Sequence, residues 1–137
     1  MTGMTDLPLP HLFKVRVYYE DTDLAGIVYH TNYLKFMERA RTESLRSQGI
    51  DQTGLEQQDC FLAVRSMDVQ FLASARIDDL LDVTTLPVST TGARGVLDQR
   101  VVKDGQELCT AMVTVVCVNG AGRPIRMPAD VRAMFNT

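Results

Sequence analysis

Several absences narrow the reading of this chain at the outset. Its three cysteines, Cys60, Cys109 and Cys117, are odd in number and show no CxxC spacing, which argues for a reduced, cytoplasmic setting. No positively charged, apolar leader opens the sequence; Met1 to Pro10 is short, polar and proline-containing. The longest strongly apolar run, about Ala111 to Val118, falls far short of the ~18 residues a membrane-spanning helix requires. Positive charge is in the minority, 14 Lys and Arg against 17 Asp and Glu, for a net charge of −3 and a pI near 5.3. A global basic field for nucleic acid is thereby excluded, and an anionic ligand would need a local Arg/Lys cluster. Repeats, low-complexity segments and linkers are missing too. The 137 residues therefore suggest a loose tail over residues 1–10 and one domain over residues 11–137. A domain this small buries only about two-thirds of its unfolded surface, so oligomerisation would help it.

What is present reads as an α+β domain. Leu12 to Tyr19 suits a strand. A helix follows from about Asn32 to Gln48, with Tyr33, Phe36, Met37, Ala40, Ser44 and Leu45 on one stripe. Thr31 or Asn32 would cap its start, and Arg39 and Glu43 are spaced for an i,i+4 pair. Gly49 suits the left-handed position after its end, with Ile50 folding back on Leu45. Phe61 to Leu72 alternates, with Phe61, Ala63, Met67, Val69 and Phe71 on the apolar face. Leu80 to Thr90 is a further strand in which Pro87 implies an edge or a bulge. Val96 to Lys103 and Gln106 to Val118 flank Asp104-Gly105, a type I′ hairpin dipeptide, and the second is apolar enough to lie centrally in the sheet. Asn119 to Arg123 turns the chain, and Pro128 opens a short helix ending near Phe135. The order is strand, long helix, then four strands in meander-like succession: a curved five-stranded antiparallel sheet wrapped around one helix, its free edge suited to pairing with a second copy.

The chemistry concentrates in YEDTDLAGIVYHTNY, Tyr19 to Tyr33. Amides ahead of a helix lack intrahelical partners and carry the positive end of its dipole, so those around His30 would stabilise an oxyanion. Gly26 permits a sharp turn that lets Asp23 face them. Leu24, Ala25, Ile27 and Val28 make the surroundings apolar, and desolvation would make Asp23 a stronger base. One carboxylate opposite one oxyanion site suits a thioester, whose thiolate leaves without a strong general acid. Water activation and direct carboxylate attack both remain open. A GxSxG elbow is absent. Glu20, Asp21, Asp23 and His30 match neither a calcium loop nor HExxH, so no metal is assigned. Cys109 and Cys117, eight apart, read as core packing. Arg65 could meet a phosphate, pair with a carboxylate such as Glu38, or snorkel out. Arg94, Arg100, Lys103, Arg123 and Arg126 could supply positive charge for the phosphates of coenzyme A.

On these residues the chain resembles a known family. VRVYYEDTDLAGIVYHTNYLKFMERARTESLR, Val15 to Arg46, is similar to the hotdog-fold acyl-CoA thioesterases related to 4-hydroxybenzoyl-CoA thioesterase, nearest to the Tol-Pal-associated bacterial branch. The likeness continues through Val64 to Val83 and through Val113 to Val118. The resemblance implies a hotdog fold with the long helix at its centre, and a homodimer or homotetramer with active sites between subunits. It further implies Asp23 as the catalytic carboxylate and the His30 amide as donor to the thioester carbonyl, aided by the Tyr29 amide and the His30 ring. Gly26, Val28, Tyr33 and Arg65 are the substrate-contact candidates. Leu24 departs from the pattern, which commonly has Ala or Pro there. Coenzyme A would enter as part of the substrate, without a separate cofactor, and acyl carrier protein is the alternative carrier. Two other readings are a non-catalytic hotdog module that docks acyl carrier protein or an envelope-linked complex, and a dehydratase, whose usual histidine motif is absent.

Overall fold

The computed structural model describes residues 9–135, so most of the tail expected over residues 1–10 lies outside the described residues. Strand β1 (His11–Arg16) leads into a single 3-10 turn (Tyr19–Asp21), helix α1 (His30–Ser47) and a short helix α2 (Gln52–Gln57). Strands β2 (Phe61–Phe71), β3 (Leu80–Thr91), β4 (Arg94–Lys103) and β5 (Gln106–Val118) follow, and helix α3 (Ala129–Met134) closes the chain. The five strands form one antiparallel sheet in the order β1-β3-β4-β5-β2. This is the hotdog arrangement. Phe36, Met37 and Ala40 of α1 are fully buried, with Val83, Val101 and Val113 of the sheet in the same core.

Local chemistry accounts for most element ends. Gly49 adopts φ +78°; its N–H donates to the Arg46 carbonyl (2.9 Å) and the Ile50 N–H to the Leu45 carbonyl (3.0 Å), the Schellman pattern expected. Asp104 and Gly105 both have positive φ, as a type I′ turn requires. Pro87 sits where the β3–β4 register shifts, beyond the last residue paired with β1, so it is both at a bulge and on a locally open edge.

Other expectations are corrected. The first strand ends at Arg16, because Tyr19–Asp21 forms a 3-10 turn. Helix α1 starts two residues early, at His30, and its N-cap Tyr29 makes no side-chain cap bond; Asn32 instead turns inward and donates to the Asp21 carbonyl (3.0 Å). Glu43 pairs with Arg46, not with Arg39. Asp51 caps the unexpected α2 by accepting the Gly54 N–H (2.8 Å). The meander covers only β3, β4 and β5, because β2 joins the far side of β5 and becomes an edge. Strand β4, not β5, is therefore the middle strand, with β5 second from the edge. Within β2 a bulge at Arg65 resets the alternation: Leu62, Met67 and Val69 are half-buried, whereas Phe61 and Ala63 lie exposed. Cys60 and Cys117 pair as a disulfide with Cα atoms 6.2 Å apart, correcting the reading of three unpaired thiols, while Cys109 is free and buried.

Candidate active site

The placement of β2 at one edge and β3 near the other forces the chain between them, residues 72–79, to cross the end of the sheet. That crossover builds one wall of the site. The Leu72 and Ala73 N–H groups donate to the Leu108 carbonyl (2.8 and 3.1 Å). Ala75 then meets the loop ahead of α1: its carbonyl accepts the Val28 N–H (2.9 Å), and its N–H donates to the Tyr33 hydroxyl oxygen (2.9 Å). Burial, the main cause, raises the Tyr33 phenol above its ordinary pKa despite the opposing Ala75 hydrogen bond.

The loop itself is a miniature hairpin. The Asp23 N–H donates to the Ile27 carbonyl (2.9 Å) and the Gly26 N–H to the Asp23 carbonyl (3.0 Å), with Thr22 bridging to Val28. Gly26 has φ +79°, a conformation that would strain any residue with a Cβ. The Asp23 carboxylate accepts the Ala25 N–H (2.8 Å), which fixes its rotamer at the turn.

The carboxylates of the DTD motif have separate tasks. Asp21 is buried; its carboxylate accepts the Tyr18 N–H (2.8 Å), and its carbonyl accepts both the Tyr29 N–H (2.9 Å) and the Asn32 side-chain amide. Asp23 is exposed and lines a pocket of about 270 Å³ together with Ile27, Val28, His30, Tyr33 and Phe71. The His30 ring packs edge-on against Phe71, centroids 5.8 Å apart.

Four of the residues singled out from the sequence, Asp23, Val28, His30 and Tyr33, thus share one pocket. Gly26 stands at the turn tip outside its lining. The Tyr29 amide, expected to help at the oxyanion site, is already donated to Asp21. The His30 and Thr31 amides, by contrast, have no acceptor among the described residues. Leu24 and Ala25 are exposed, so in the single chain they do not supply the apolar cover expected for Asp23. Arg65 lies at the β2 bulge, exposed, outside this pocket and with no ion pair among the described residues, Glu38 included. Arg100 is held by Asp98 and Glu107, and Lys103 by Asp79 (3.0 Å), which leaves Arg94, Arg123 and Arg126 of the expected cation set outside ion pairs among the described residues. Sequence reasoning missed Asp21 and Asn32 as the scaffold of the loop, and Ala73 in its far wall.

Comparisons with known proteins agree with this geometry. A protein named acyl-CoA thioesterase YbgC, from Haemophilus influenzae, is 43% identical over 126 residues, covering 90% of this chain and 93% of its own. An acyl-CoA thioester hydrolase YbgC from Escherichia coli is likewise 43% identical over 125 residues, with the same coverage. The crystal structure of a probable thioesterase from Bartonella henselae superposes with a TM-score of 0.84 at 40% identity, over 88% of this chain and all of that one. With the model of the thioesterase-like superfamily matching residues 17–135, across the loop, the helix and strands β2 to β5 described above, this chain belongs to that superfamily.

Proposed function

We propose that the chain hydrolyses acyl-CoA thioesters to the free acid and CoA, with Asp23 as the reacting carboxylate and the His30 amide as the main oxyanion donor. The observation carrying this reading is the pairing, in one pocket, of a carboxylate with a helix mouth whose His30 and Thr31 amides have no acceptor among the described residues. The names of the relatives at 43% identity support the same reaction. In the general-base route Asp23 takes a proton from water as the water oxygen bonds to the thioester carbon. The carbonyl oxygen becomes an oxyanion opposite the two amides. Its collapse breaks the C–S bond, and the thiolate leaves and takes up a proton. In the nucleophilic route the Asp23 oxygen bonds to the thioester carbon, the C–S bond breaks and the thiolate leaves and takes up a proton; water then cleaves the resulting anhydride, releasing the acid and restoring the carboxylate. Removing one donor of the oxyanion kind typically costs ~10²–10³ in rate.

The reading extends to assembly. Edge strand β2 exposes Phe61, Val64 and Phe71, and two copies paired along it would join their sheets. Such pairing would cover the pocket wall at Phe71 and supply the cover that Asp23 lacks in the single chain. Dimers of this kind, or tetramers of two, are the proposed working form. A cytoplasmic location fits a CoA-linked substrate. No helix among the described residues is long and apolar enough to cross a membrane. Acyl carrier protein is a second possible carrier, and Tyr33, Val28 and Phe71 would contact the acyl group near its carbonyl.

The test is thiol release from short aliphatic and aromatic acyl-CoA esters. Turnover that falls with Asp23→Asn supports hydrolysis. Tight acyl-CoA or acyl-carrier binding without thiol release would select the non-catalytic module instead.

A further inference from the structure

At the opposite end of α1 lies a larger cavity, of about 450 Å³, within the ~300–1,000 Å³ typical of small-molecule sites. Leu45, Leu55, Leu62, Leu97 and Val115 form an apolar wall, and polar side chains, Thr42 and Gln52 among them, make up about half of the lining. Arg41 is one of these. Its guanidinium is half-buried, and its Nη1 donates to the Gln99 side-chain oxygen (3.0 Å). Gln99 is fully buried, and its amide nitrogen donates both to the Met37 carbonyl (3.0 Å) and to the Thr85 hydroxyl (2.9 Å). That network fixes the Gln99 oxygen as the atom facing Arg41.

A guanidinium carries five N–H donors, and only this one hydrogen bond engages them among the described residues. Arg41 also forms no ion pair there. The other charges around the cavity do not neutralise it directly. Glu38 is exposed and attracts it only at longer range, Arg46 is held by Glu43, and the Asp51 carboxylate caps α2. Burial disfavours the charged form of Arg41 and lowers its pKa, with Glu38 opposing. A half-buried cation beside an apolar wall, with four donors unused among the described residues, is complementary to an anion attached to an apolar body.

We infer that this cavity is a second ligand site, for an apolar chain ending in a carboxylate, with Arg41 as its anion-binding group. The inference goes beyond the proposed hydrolysis, and only one arm of its test uses that activity. Two sources share this chemistry: a free carboxylic acid, or the far end of an acyl group bearing a distal carboxylate.

The first arm is calorimetry of octanoate, with octylamine as the charge-reversed control. Octanoate should bind and octylamine should not; Arg41→Met should weaken octanoate by about tenfold or more, and Arg41→Lys by less. This result marks a free acid as occupant. The second arm compares thiol release from dodecanedioyl-CoA and dodecanoyl-CoA, chains long enough to cover most of the ~16 Å of helix between His30 and Arg41. A preference for dodecanedioyl-CoA that Arg41→Met lowers by about tenfold or more marks the acyl end as occupant. Should Arg41→Met fail to fold, Val115→Phe, which narrows the cavity from its apolar wall, must weaken the same signals. Octanoate binding and substrate ratio that both ignore these substitutions overturn the inference, as does wild-type protein with neither octanoate binding nor dodecanedioyl preference. If no acyl-CoA is cleaved at all, the proposed hydrolysis fails and the octanoate arm alone decides this site.

Discussion

The two aspartates of the DTD motif lie two residues apart, and the structure separates them sharply enough for one experiment to tell them apart. In Asp23→Asn the remaining side-chain oxygen still accepts the Ala25 N–H, so the turn keeps its 2.8 Å tether. The position is exposed, and the stability change should stay within about 0.5 kcal/mol. The amide is no base or nucleophile, and kcat should fall ~100-fold or more. Asp21→Ala should behave in the opposite way. It removes the carboxylate that accepts the part-buried Tyr18 N–H, leaving that donor unpaired at a cost of about 1–3 kcal/mol. At roughly 3–5 °C per kcal/mol for a domain of this size, Tm should drop by about 3–15 °C. The Asp21 backbone carbonyl survives the change, so the Tyr29 and Asn32 anchors remain, and kcat measured well below Tm should stay within about tenfold of wild type. Thiol-release kinetics and thermal melts on both variants make the comparison. An Asp23→Asn protein that turns over within about threefold of wild type refutes the catalytic assignment, whatever the Asp21 variant does.

His30→Ala should cost less than Asp23→Asn, because the proposed donor is the backbone amide; equal losses in kcat would shift the role to the imidazole. Tyr33→Phe leaves the buried Ala75 N–H without its acceptor and should cost about 1–3 kcal/mol in denaturant melts. Burial pushes the Cys109 thiol up from 9.0 to about 11. The native state therefore holds this proton where the unfolded chain releases it, and stability should fall as pH rises from about 9 to 11. Cys109→Ala should flatten that fall, though Tyr33, also raised by burial, will leave part of it. Light scattering should find a dimer or larger, and Val64→Glu, which puts charge on the exposed β2 edge, should shift it toward monomer with a parallel loss of turnover.

What the sequence made legible was set by neighbours in the chain. The α1 stripe, the Gly49 ending and the Asp104-Gly105 turn depend on residues within a turn or two of each other, and each formed as its local chemistry dictates. The site loop was legible for the same reason, since Asp23 and His30 are joined by a hairpin only a few residues long. Misreadings arose wherever a distant segment decided. The alternation of β2 carries no mark of the bulge at Arg65, which only pairing with β5 reveals, nor of its edge position across the sheet from β3. Cys60 and Cys117 lie 57 residues apart, and strand pairing alone brings them together. The α2 helix had a local signal, Asp51 three residues before Gly54, but six residues are too few for periodicity to reveal.

The lost Tyr29 amide shows how the distant contacts sharpen the site. Helix mouths in general offer several unpaired amides, and an acyl oxygen could settle against any of them. Here the Asp21 carbonyl occupies the Tyr29 donor and the Asn32 side chain at once, tying the turn after β1 to the first turn of α1. The Asn32 N–H is taken by the Tyr29 carbonyl (2.8 Å). Among the described residues only the His30 and Thr31 amides are left, adjacent in the chain and on the same helical turn as the pocket side chains of His30 and Tyr33. Since Asp21 and Asp23 are separated by a single residue, the carbonyl that restricts the donors also fixes where the carboxylate begins. The distance between the proposed base and the proposed oxyanion donors is therefore set by one short hydrogen-bonded hairpin, so a residue inserted between Leu24 and Gly26 would disturb it more than any enlargement of the acyl pocket.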